Sequence, residues 1–187
     1  MSQFATGSPS SYTRTAILLH WLVALCIFAA FPLGLYMSEL LLSPRKLQLY
    51  SYHKWLGISV LLLAIARLFW RRLHRPPPLA ATMPRWQRLA AQGTHHLLYL
   101  LMLVVPISGW LMSSALGVSV VWFGVLPLPD LIGRNKELGE ILKTVHELLN
   151  YAMLILVVLH IIAALEHHFR SRDDTLQRML PFLGGKS

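Results

Sequence analysis

Four long apolar stretches alternate with polar or basic segments along the 187-residue chain. They cover approximately residues 16–37, 52–70, 95–116 and 144–167. An α-helix needs about 20 residues to cross the hydrocarbon core of a bilayer, and each stretch reaches about that length. The pattern therefore predicts an all-α membrane protein: a single domain over 1–187 that forms an up-and-down bundle of four transmembrane helices.

The composition supports a membrane location. Hydrophobic residues make up 55% of the chain and charged residues only 13%, whereas about a quarter of the residues in a soluble domain are charged. The formal net charge is +9, but the cations lie beside the apolar stretches, where they act as topology signals. This distribution argues against nucleic acid as a partner and leaves membrane lipid as the expected surroundings.

The orientation follows from the most basic segment, which begins at the end of the second apolar stretch. It contains no acidic residue between residues 67 and 88, and its cations are Arg67, Arg71, Arg72, Arg75, Arg85 and Arg88. Loops rich in Lys and Arg stay in the cytoplasm, so four spans place both termini there too. The C-terminal tail agrees through Arg170, Arg172, Arg178 and Lys186. We expect a multi-pass protein of the bacterial inner membrane.

Candidate chemistry begins with two histidines on the fourth stretch. His146 and His160 are fourteen positions apart, which places both rings on one face of a helix and roughly 21 Å apart. Imidazole is a common iron ligand, and a polar ring within a membrane normally faces the bundle interior. The spacing predicts a helix that serves two stacked haems. The alternative is a pair of histidines that only hydrogen-bond to neighbouring helices.

The other three stretches carry pairs with the same spacing: His20 and Gly34, His53 and Arg67, and His95 and Gly109. Because consecutive helices cross in opposite directions, the eight positions fall into two layers. The cytoplasmic layer contains His20, Arg67, His95 and His160. The periplasmic layer contains Gly34, His53, Gly109 and His146. Glycine leaves room where a macrocycle meets a helix, so the layers predict two haem sites.

The periplasmic layer has only two histidines, so His53 and His146 are expected to share one iron. The cytoplasmic layer offers three histidines for two positions, and spacing does not choose among them. The only cysteine is Cys26, and the chain has no CxxCH motif, so both haems are expected to be non-covalent haem b. The alternative is that the glycines pack helices and the histidines lie at the membrane interface.

A series of short motifs runs through the chain in a fixed order. It comprises Arg14, His20-Trp21, His53 with Gly57 and Arg67, His95 with Tyr99, Pro106 and Gly109, His146-Glu147, His160, and DDTLQRM from Asp173 to Met179. In this order and spacing, the stretch from Arg14 to Met179 resembles the bacterial cytochrome b561 family of di-haem, quinone-linked membrane proteins.

The resemblance implies that His20 and His160 ligate the cytoplasmic haem and that His53 and His146 ligate the periplasmic haem. It also implies that His95 lies near a haem propionate or a quinone. This chain doubles that position as His95-His96, and His95 keeps the spacing to Tyr99.

Arg67 has two interpretations in this scheme. It falls in the cytoplasmic layer, where its guanidinium could pair with a haem propionate. It could equally be a topology residue whose side chain extends to the membrane surface.

Two axial imidazoles leave no open position on the iron, so the predicted function is electron transfer. We expect electrons to pass between the periplasmic face and ubiquinone or another quinone in a respiratory chain. Some members of the family are described as superoxide:ubiquinone oxidoreductases. Others are cytochrome b subunits that accept electrons from a dehydrogenase or hydrogenase partner. A rival of another class is a His-lined transporter of divalent metals, which needs ligands that converge with carboxylates on one site.

The outer connections carry a small excess of cations. The cations are Arg45, Lys46, Lys54, Arg134, Lys136 and Lys143, and the acids are Glu39, Asp130, Glu137 and Glu140. If superoxide is the substrate, this excess predicts electrostatic steering of the anion towards the periplasmic haem. The alternative is that these are ordinary solvated loop charges.

The topology prediction can be checked with reporters fused after Ser187. Both termini are predicted to be cytoplasmic, so a cytoplasmic reporter should be active there and an exported phosphatase inactive. Phosphatase activity without cytoplasmic reporter activity would show that the orientation is inverted.

Overall fold

A computed structural model describes residues 11–78, 83–171 and 173–180. Its elements are α1 (Arg14–Glu39), α2 (Pro44–Leu73), α3 (Arg85–Ala115), β1 (Val121–Trp122), β2 (Leu126–Pro127) and α4 (Lys136–Glu166). α4 continues into a π-helical turn, His167–Ser171. The predicted helical architecture is confirmed, whereas the short antiparallel hairpin between α3 and α4 was not predicted.

The helices are longer than the apolar stretches because most of them begin at well-formed caps. The side chains of Thr13, Ser43 and Asn135 accept backbone N–H groups in the first turns of α1, α2 and α4. These bonds satisfy donors that a helix otherwise leaves unpaired. Residues 136–143, which precede the fourth apolar stretch, form the start of α4.

Neighbouring helices run in opposite directions. At one end of the α1/α2 pair, Trp70 Nε1 donates to Thr13 Oγ1 over 2.9 Å. At the other end, His53 Nδ1 lies 3.0 Å from the Ala30 carbonyl. Contacts at both ends of the α3/α4 pair show the same relationship, and α2 packs against α3. The described residues therefore form an up-and-down bundle.

The bundle has a small buried interior and an apolar exterior. One core cluster joins Val23 of α1, Val60 and Ala64 of α2, and Met102 of α3. A second cluster joins Leu101 and Val105 of α3 to Met153 of α4. Outside, many large apolar side chains are substantially exposed, among them Leu25, Phe28, Phe69, Leu148 and Ile155. Continuous apolar surface of this kind is typical of a bundle that contacts lipid.

Three of the four long helices, α1, α3 and α4 with its π-helical turn, are long and apolar enough to cross a membrane. α2 is not among them. It carries six cations, Arg45, Lys46, Lys54, Arg67, Arg71 and Arg72. The expectation of four membrane-spanning helices is thus supported by composition for three of them.

The connection between α3 and α4 turns sharply at Phe123 and Gly124. Both residues have positive φ angles, 52° and 73°, and Val125 N donates to Trp122 O over 3.1 Å to close the turn. Glycine adopts this conformation freely, but a residue with a side chain pays roughly 1–2 kcal/mol. Contacts elsewhere in the hairpin must therefore compensate for Phe123.

The tail that follows α4 folds back onto the end of the bundle that is predicted to be cytoplasmic. Trp21 of α1 donates its Nε1 hydrogen to Met179 O over 2.9 Å, and Arg178 Nη1 donates to Pro78 O over 2.6 Å. The DDTLQRM motif thus ties α1 and the segment after α2 to the end of α4. Arg172 and Lys186, which the topology prediction also used, lie outside the described residues.

Asp173 anchors this tail to α4. Its Oδ2 lies 2.6 Å from His167 Nδ1, and its Oδ1 accepts the Thr175 amide over 2.9 Å. Burial alone would raise the pKa of Asp173, but hydrogen bonds from Thr175 and His167 hold this pKa below its ordinary value.

We expect Asp173→Asn to loosen the tail. A depressed folded pKa means that the carboxylate stabilises the fold above its unfolded pKa and that this contribution is lost as pH falls through the folded pKa. Charge-assisted hydrogen bonds contribute about 1.5–3 kcal/mol, so amides 175–179 should exchange hydrogen roughly tenfold faster in the variant at neutral pH. Unchanged exchange in this segment would show that the Asp173 contacts do not hold the tail.

Candidate functional site

Two histidines meet in the half of the bundle that the sequence predicts to face the periplasm, called the outer half below; the opposite half is called the inner half. The ring centroids of His53 on α2 and His146 on α4 are 6.2 Å apart, and the rings are nearly perpendicular at 88°. Both rings line an apolar cavity of about 110 Å³ together with Ala30, Pro106 and Asn150. The sequence placed these histidines in one layer, and the structure brings them together.

The His53 ring rests on a glycine of the adjacent helix. A Cβ at Gly34 of α1 would lie 3.0 Å from His53 Cε1, closer than ordinary van der Waals contact. The ring's Nδ1 lies 3.0 Å from the carbonyl oxygen of Ala30, four residues before Gly34 in α1. The missing side chain therefore lets the ring reach a backbone carbonyl inside the bundle.

The same arrangement recurs between α3 and α4. A Cβ at Gly109 would lie 2.9 Å from His146 Cε1, and His146 Nδ1 lies 3.1 Å from Val105 O, again four residues before the glycine. Ser108 Oγ is 2.9 Å from the same nitrogen and donates its own hydrogen to Val105 O over 2.7 Å. Ser108 therefore accepts from His146.

These contacts fix the tautomer of both outer imidazoles. A carbonyl oxygen can only accept, so Nδ1 carries the hydrogen in His53 and in His146. Nε2 is then left with a lone pair, which is the form that binds a metal. A backbone carbonyl behind the imidazole is also the usual outer partner of a metal-binding histidine.

The ring spacing fits one metal between two imidazoles. With metal–nitrogen bonds of about 2 Å and each ring centre roughly 1.1 Å behind its nitrogen, the two centroids are expected roughly 6 Å apart. The outer pair matches this at 6.2 Å. The outer cavity, at about 110 Å³, is smaller than the roughly 300–1,000 Å³ that is typical of pockets for small molecules and cofactors. The side chains around it would therefore have to move apart to admit a macrocycle.

Three histidines meet in the inner half of the bundle. The His20 and His160 ring centroids are 6.2 Å apart, whereas those of His95 and His160 are 5.4 Å apart. His20 Nδ1 is buried and has no hydrogen-bond partner among the described residues. His20 therefore lacks the backbone acceptor that orients the two outer imidazoles, and its Nδ1 must be satisfied by a group other than these residues.

The two adjacent histidines of α3, His95 and His96, face different surroundings. His95 faces the inner cluster and lines a cavity of about 730 Å³ with His160 and His167, large enough for a cofactor-sized group. His96 is exposed and its Nδ1 bonds back to Gln92 O on its own helix over 2.7 Å.

Arg67 lies beside the inner cluster. Its guanidinium carbon is 5.2 Å from the centre of the Tyr99 ring, and Arg71 approaches the same ring at 5.4 Å. Neither arginine is in a carboxylate ion pair among residues 11–78, 83–171 and 173–180. Two guanidiniums beside the histidine cluster favour an anionic group, such as a propionate, at this level.

A family model described as prokaryotic cytochrome b561 matches residues 11–182. The chain belongs to the prokaryotic cytochrome b561 family. Cytochrome b561 homolog 2 of Escherichia coli (strain K12) is 34% identical over 177 residues, which is 94% of this chain and 94% of the relative. Cytochrome b561 homolog 1 of the same organism is 30% identical over 179 residues, 91% of this chain and 97% of the relative.

A third relative carries a functional name. It is the probable superoxide oxidase CybB of Yersinia pestis, 33% identical over 181 residues, with 91% of this chain and 96% of the relative covered. Membership of the cytochrome b561 family implies b-type haem and identifies the chain as a bacterial membrane cytochrome b. The donor chemistry and ring spacing of the histidines agree with that cofactor.

Some residues of the cytochrome's site were missed at the sequence level. Ser108 and the carbonyls of Ala30 and Val105 orient the outer rings. Tyr99 was named only for its spacing to His95, whereas its ring contacts Arg67. A backbone acceptor has no residue signature of its own. The signal that was present is indirect: Gly34 and Gly109 each follow their acceptor carbonyl by four positions.

Alanine substitutions at the two outer glycines should disturb the outer histidines selectively. The new Cβ would contact His53 in Gly34→Ala and, more closely, His146 in Gly109→Ala. We expect loss or spectral change of one haem in each variant, with the larger effect at Gly109. Gly93→Ala on α3 is the control because its Cβ would have no neighbour within 4 Å. Normal spectra and haem content in both outer variants would contradict the role assigned to the glycines.

Proposed function

We propose that the protein transfers electrons between the periplasmic face and the quinone pool of the bacterial inner membrane, through two b haems per chain. The observation that carries this proposal is the pair of imidazole couples, His20/His160 and His53/His146, each with centroids 6.2 Å apart. Haem b held by two imidazoles exchanges single electrons without an open coordination position. The fourteen-residue spacing along α4 separates the couples by roughly 21 Å, about two-thirds of the hydrocarbon thickness.

In this proposal all four helices cross the membrane and both termini are cytoplasmic. α2 is included because it runs antiparallel to α1 over the same height and supplies His53 to the outer couple. Its cations fall into two groups: Arg45, Lys46 and Lys54 precede Trp55 on the outer side, and the arginines from Arg67 onwards lie on the inner side. The apolar segment from Trp55 to Ala66 carries no charged residue and separates the two groups of cations.

The residues around each couple would have separate tasks. His53 and His146 are oriented by backbone acceptors and keep Nε2 available for iron. On the inner side, Arg67 would pair with a propionate, and His95 would face a propionate or the quinone at the cavity of about 730 Å³. Quinone reduction consumes two electrons and two protons, so the inner site must also connect to water.

The sharper form of the proposal is superoxide:quinone oxidoreductase activity. Each superoxide would lose one electron and leave as dioxygen, and two such events would reduce one quinone with two protons from the cytoplasm. A relative named probable superoxide oxidase CybB supports this form. Lys136 and Lys143 are exposed at the outer end of α4 and would favour the approach of an anion.

Substitution of some outer cations would disturb structural contacts as well as the charge. Lys46 Nζ donates to Leu40 O and Ser38 O at the end of α1, and Lys54 Nζ donates to Val118 O over 3.0 Å. These lysines hold the outer connections in place. Steering is therefore best tested at Lys136 and Lys143.

Two alternatives remain distinguishable by experiment. A cytochrome b subunit of a dehydrogenase or hydrogenase would have the same haems but would be reduced by a protein partner and not by superoxide. A divalent-metal transporter would need His, Cys, Asp and Glu side chains that converge on one metal ion. In the part of the chain that the structure describes, no group of three or more has that geometry, the three inner histidines included. Purified protein with a reducible b-type spectrum would exclude the transporter.

The ligand assignment predicts the outcome of single histidine substitutions. His53→Ala and His146→Ala should abolish the same spectral and redox component, because each removes one axial ligand from the same iron, and the other component should persist. His96→Ala is the control because that ring bonds to its own helix. A redox titration that showed different components lost in the two outer variants would refute the proposed pairing.

Steering predicts a salt effect. Stopped-flow reduction of the haems by superoxide should slow as ionic strength rises, because the Debye length falls to about 8 Å at physiological salt. Lys136→Gln with Lys143→Gln should give a slower and less salt-sensitive rate, whereas Arg85→Gln with Arg88→Gln at the inner face should match the parent. Equal rates and salt slopes for the outer variant and the parent would show that these lysines do not steer the substrate.

A further inference from the structure

The connection between α3 and α4 is unusually apolar for a loop. No charged residue occurs from Gly117 to Pro129. Its side chains are nevertheless exposed: Val125 by 83%, Phe123 by 56% and Leu126 by 51%. A water-facing loop of this length normally carries charge, so the exposed apolar tip of the hairpin requires another explanation.

The hairpin is fixed to the flank of α2 by the indole groups of two tryptophans. Trp55 Nε1 donates to Val121 O over 2.7 Å. In the opposite direction, Trp122 Nε1 lies 3.3 Å from both Trp55 O and Ser59 Oγ. Strand β1 therefore lies along α2 and does not extend away from the bundle.

The level of this contact places the hairpin beside the outer histidines. Ser59 lies six residues further inward along α2 than His53, which corresponds to about 9 Å. The indole of Trp122 reaches Ser59, so the hairpin covers the part of α2 that begins at the level of His53. In a four-span bundle this level lies within the outer part of the membrane.

The hairpin adjoins an apolar stripe on α2. Leu62, Ile65 and Phe69 are 46%, 51% and 65% exposed, and their spacing continues the helix face that carries Trp55 and Ser59. No charged residue interrupts this face between Trp55 and Ala66. Whatever covers the stripe therefore also meets the hairpin.

Four aromatic rings cluster where the hairpin packs against α2. Tyr52 and Trp55 have centroids 5.1 Å apart, and Phe123 lies 5.3 Å from Trp55 and 5.0 Å from Trp122. Trp and Tyr are enriched where a membrane meets water. These contacts also hold Phe123 in its positive-φ conformation at the turn.

The backbone of the hairpin is paired, as a low-dielectric environment requires. Val125 N bonds to Trp122 O, and Leu128 N bonds to Val120 O over 2.8 Å. Where the chain enters the hairpin, the carbonyl of Val118 accepts from Lys54 Nζ. The hairpin can thus enter an apolar phase without exposing unpaired groups at these positions.

We propose that residues 121–127 form an interfacial membrane anchor whose tip, Phe123 to Leu126, inserts into the outer leaflet of phospholipid beside α2. The occupant of this apolar surface is lipid acyl chain, because the hairpin is continuous with the exposed stripe of α2 and lies at membrane depth. The inference rests on the proposed role of α2 as a membrane span.

The test uses nitroxide labels on the intact haem-containing protein in nanodiscs of bacterial phospholipid. In a Cys26→Ala background, single cysteines replace Val125 at the hairpin, Ile65 on the α2 stripe or Glu137 in the exposed first turn of α4. Power-saturation EPR then compares collision with dioxygen, which partitions into lipid, and with a water-soluble nickel chelate. The Val125 label should match the Ile65 label, with oxygen access exceeding nickel access severalfold.

Each result has a distinct meaning. A Val125 label with the nickel access of the Glu137 label would place the hairpin in water and overturn the anchor, while a lipid signal at Ile65 would leave the four-span arrangement intact. Low access to both reagents at Val125 would show that protein covers the hairpin and would also overturn the proposal. A water signal at Ile65 itself would contradict the membrane role of α2.

Discussion

A buried imidazole must find an acceptor for its ring hydrogen, and in a helical membrane protein nearly every carbonyl is already used within its own helix. This chain meets the constraint in the same way twice. A glycine on the adjacent helix lets the ring approach the carbonyl four residues earlier, at Gly34 for His53 and at Gly109 for His146. The carbonyl oxygen then accepts two hydrogen bonds, one within its own helix and one from the ring. One hydrogen bond fixes the tautomer, the ring orientation and the availability of Nε2.

The packing of the four helices then brings the histidines together in pairs. α1 and α2 form one antiparallel pair and α3 and α4 the other, so that His20 meets His160 and His53 meets His146 at equal centroid distances of 6.2 Å. Helical periodicity spaces the two couples along the bundle. The core clusters around Val60 and Met153 fill the layer between them. The tail bound to Trp21 and the hairpin bound to Trp55 close the inner and outer ends.

Much of this arrangement could be predicted from residue spacing, because fourteen residues are nearly four whole helical turns and keep a pair on one face. The layers of histidines and glycines were predicted in this way. The glycines, however, accommodate the imidazole of a neighbouring helix in this structure, where the sequence suggested room for a macrocycle. The hairpin at Phe123, the tail contacts of Asp173 and the acceptor Ser108 were missed, since each depends on tertiary contacts between distant residues. The sequence also predicts that α2 spans the membrane, although by composition only the other three long helices are apolar enough to do so.

The central claim is that each imidazole couple binds its own b haem. It is tested most directly by the haem content of the purified protein, with haem b measured as its pyridine complex and protein by quantitative amino-acid analysis. The account predicts a ratio near two haems per chain, extractable by acid acetone because no thioether bond holds them. A ratio near one in fully loaded protein would contradict it, because one of the two couples would then have no haem to bind.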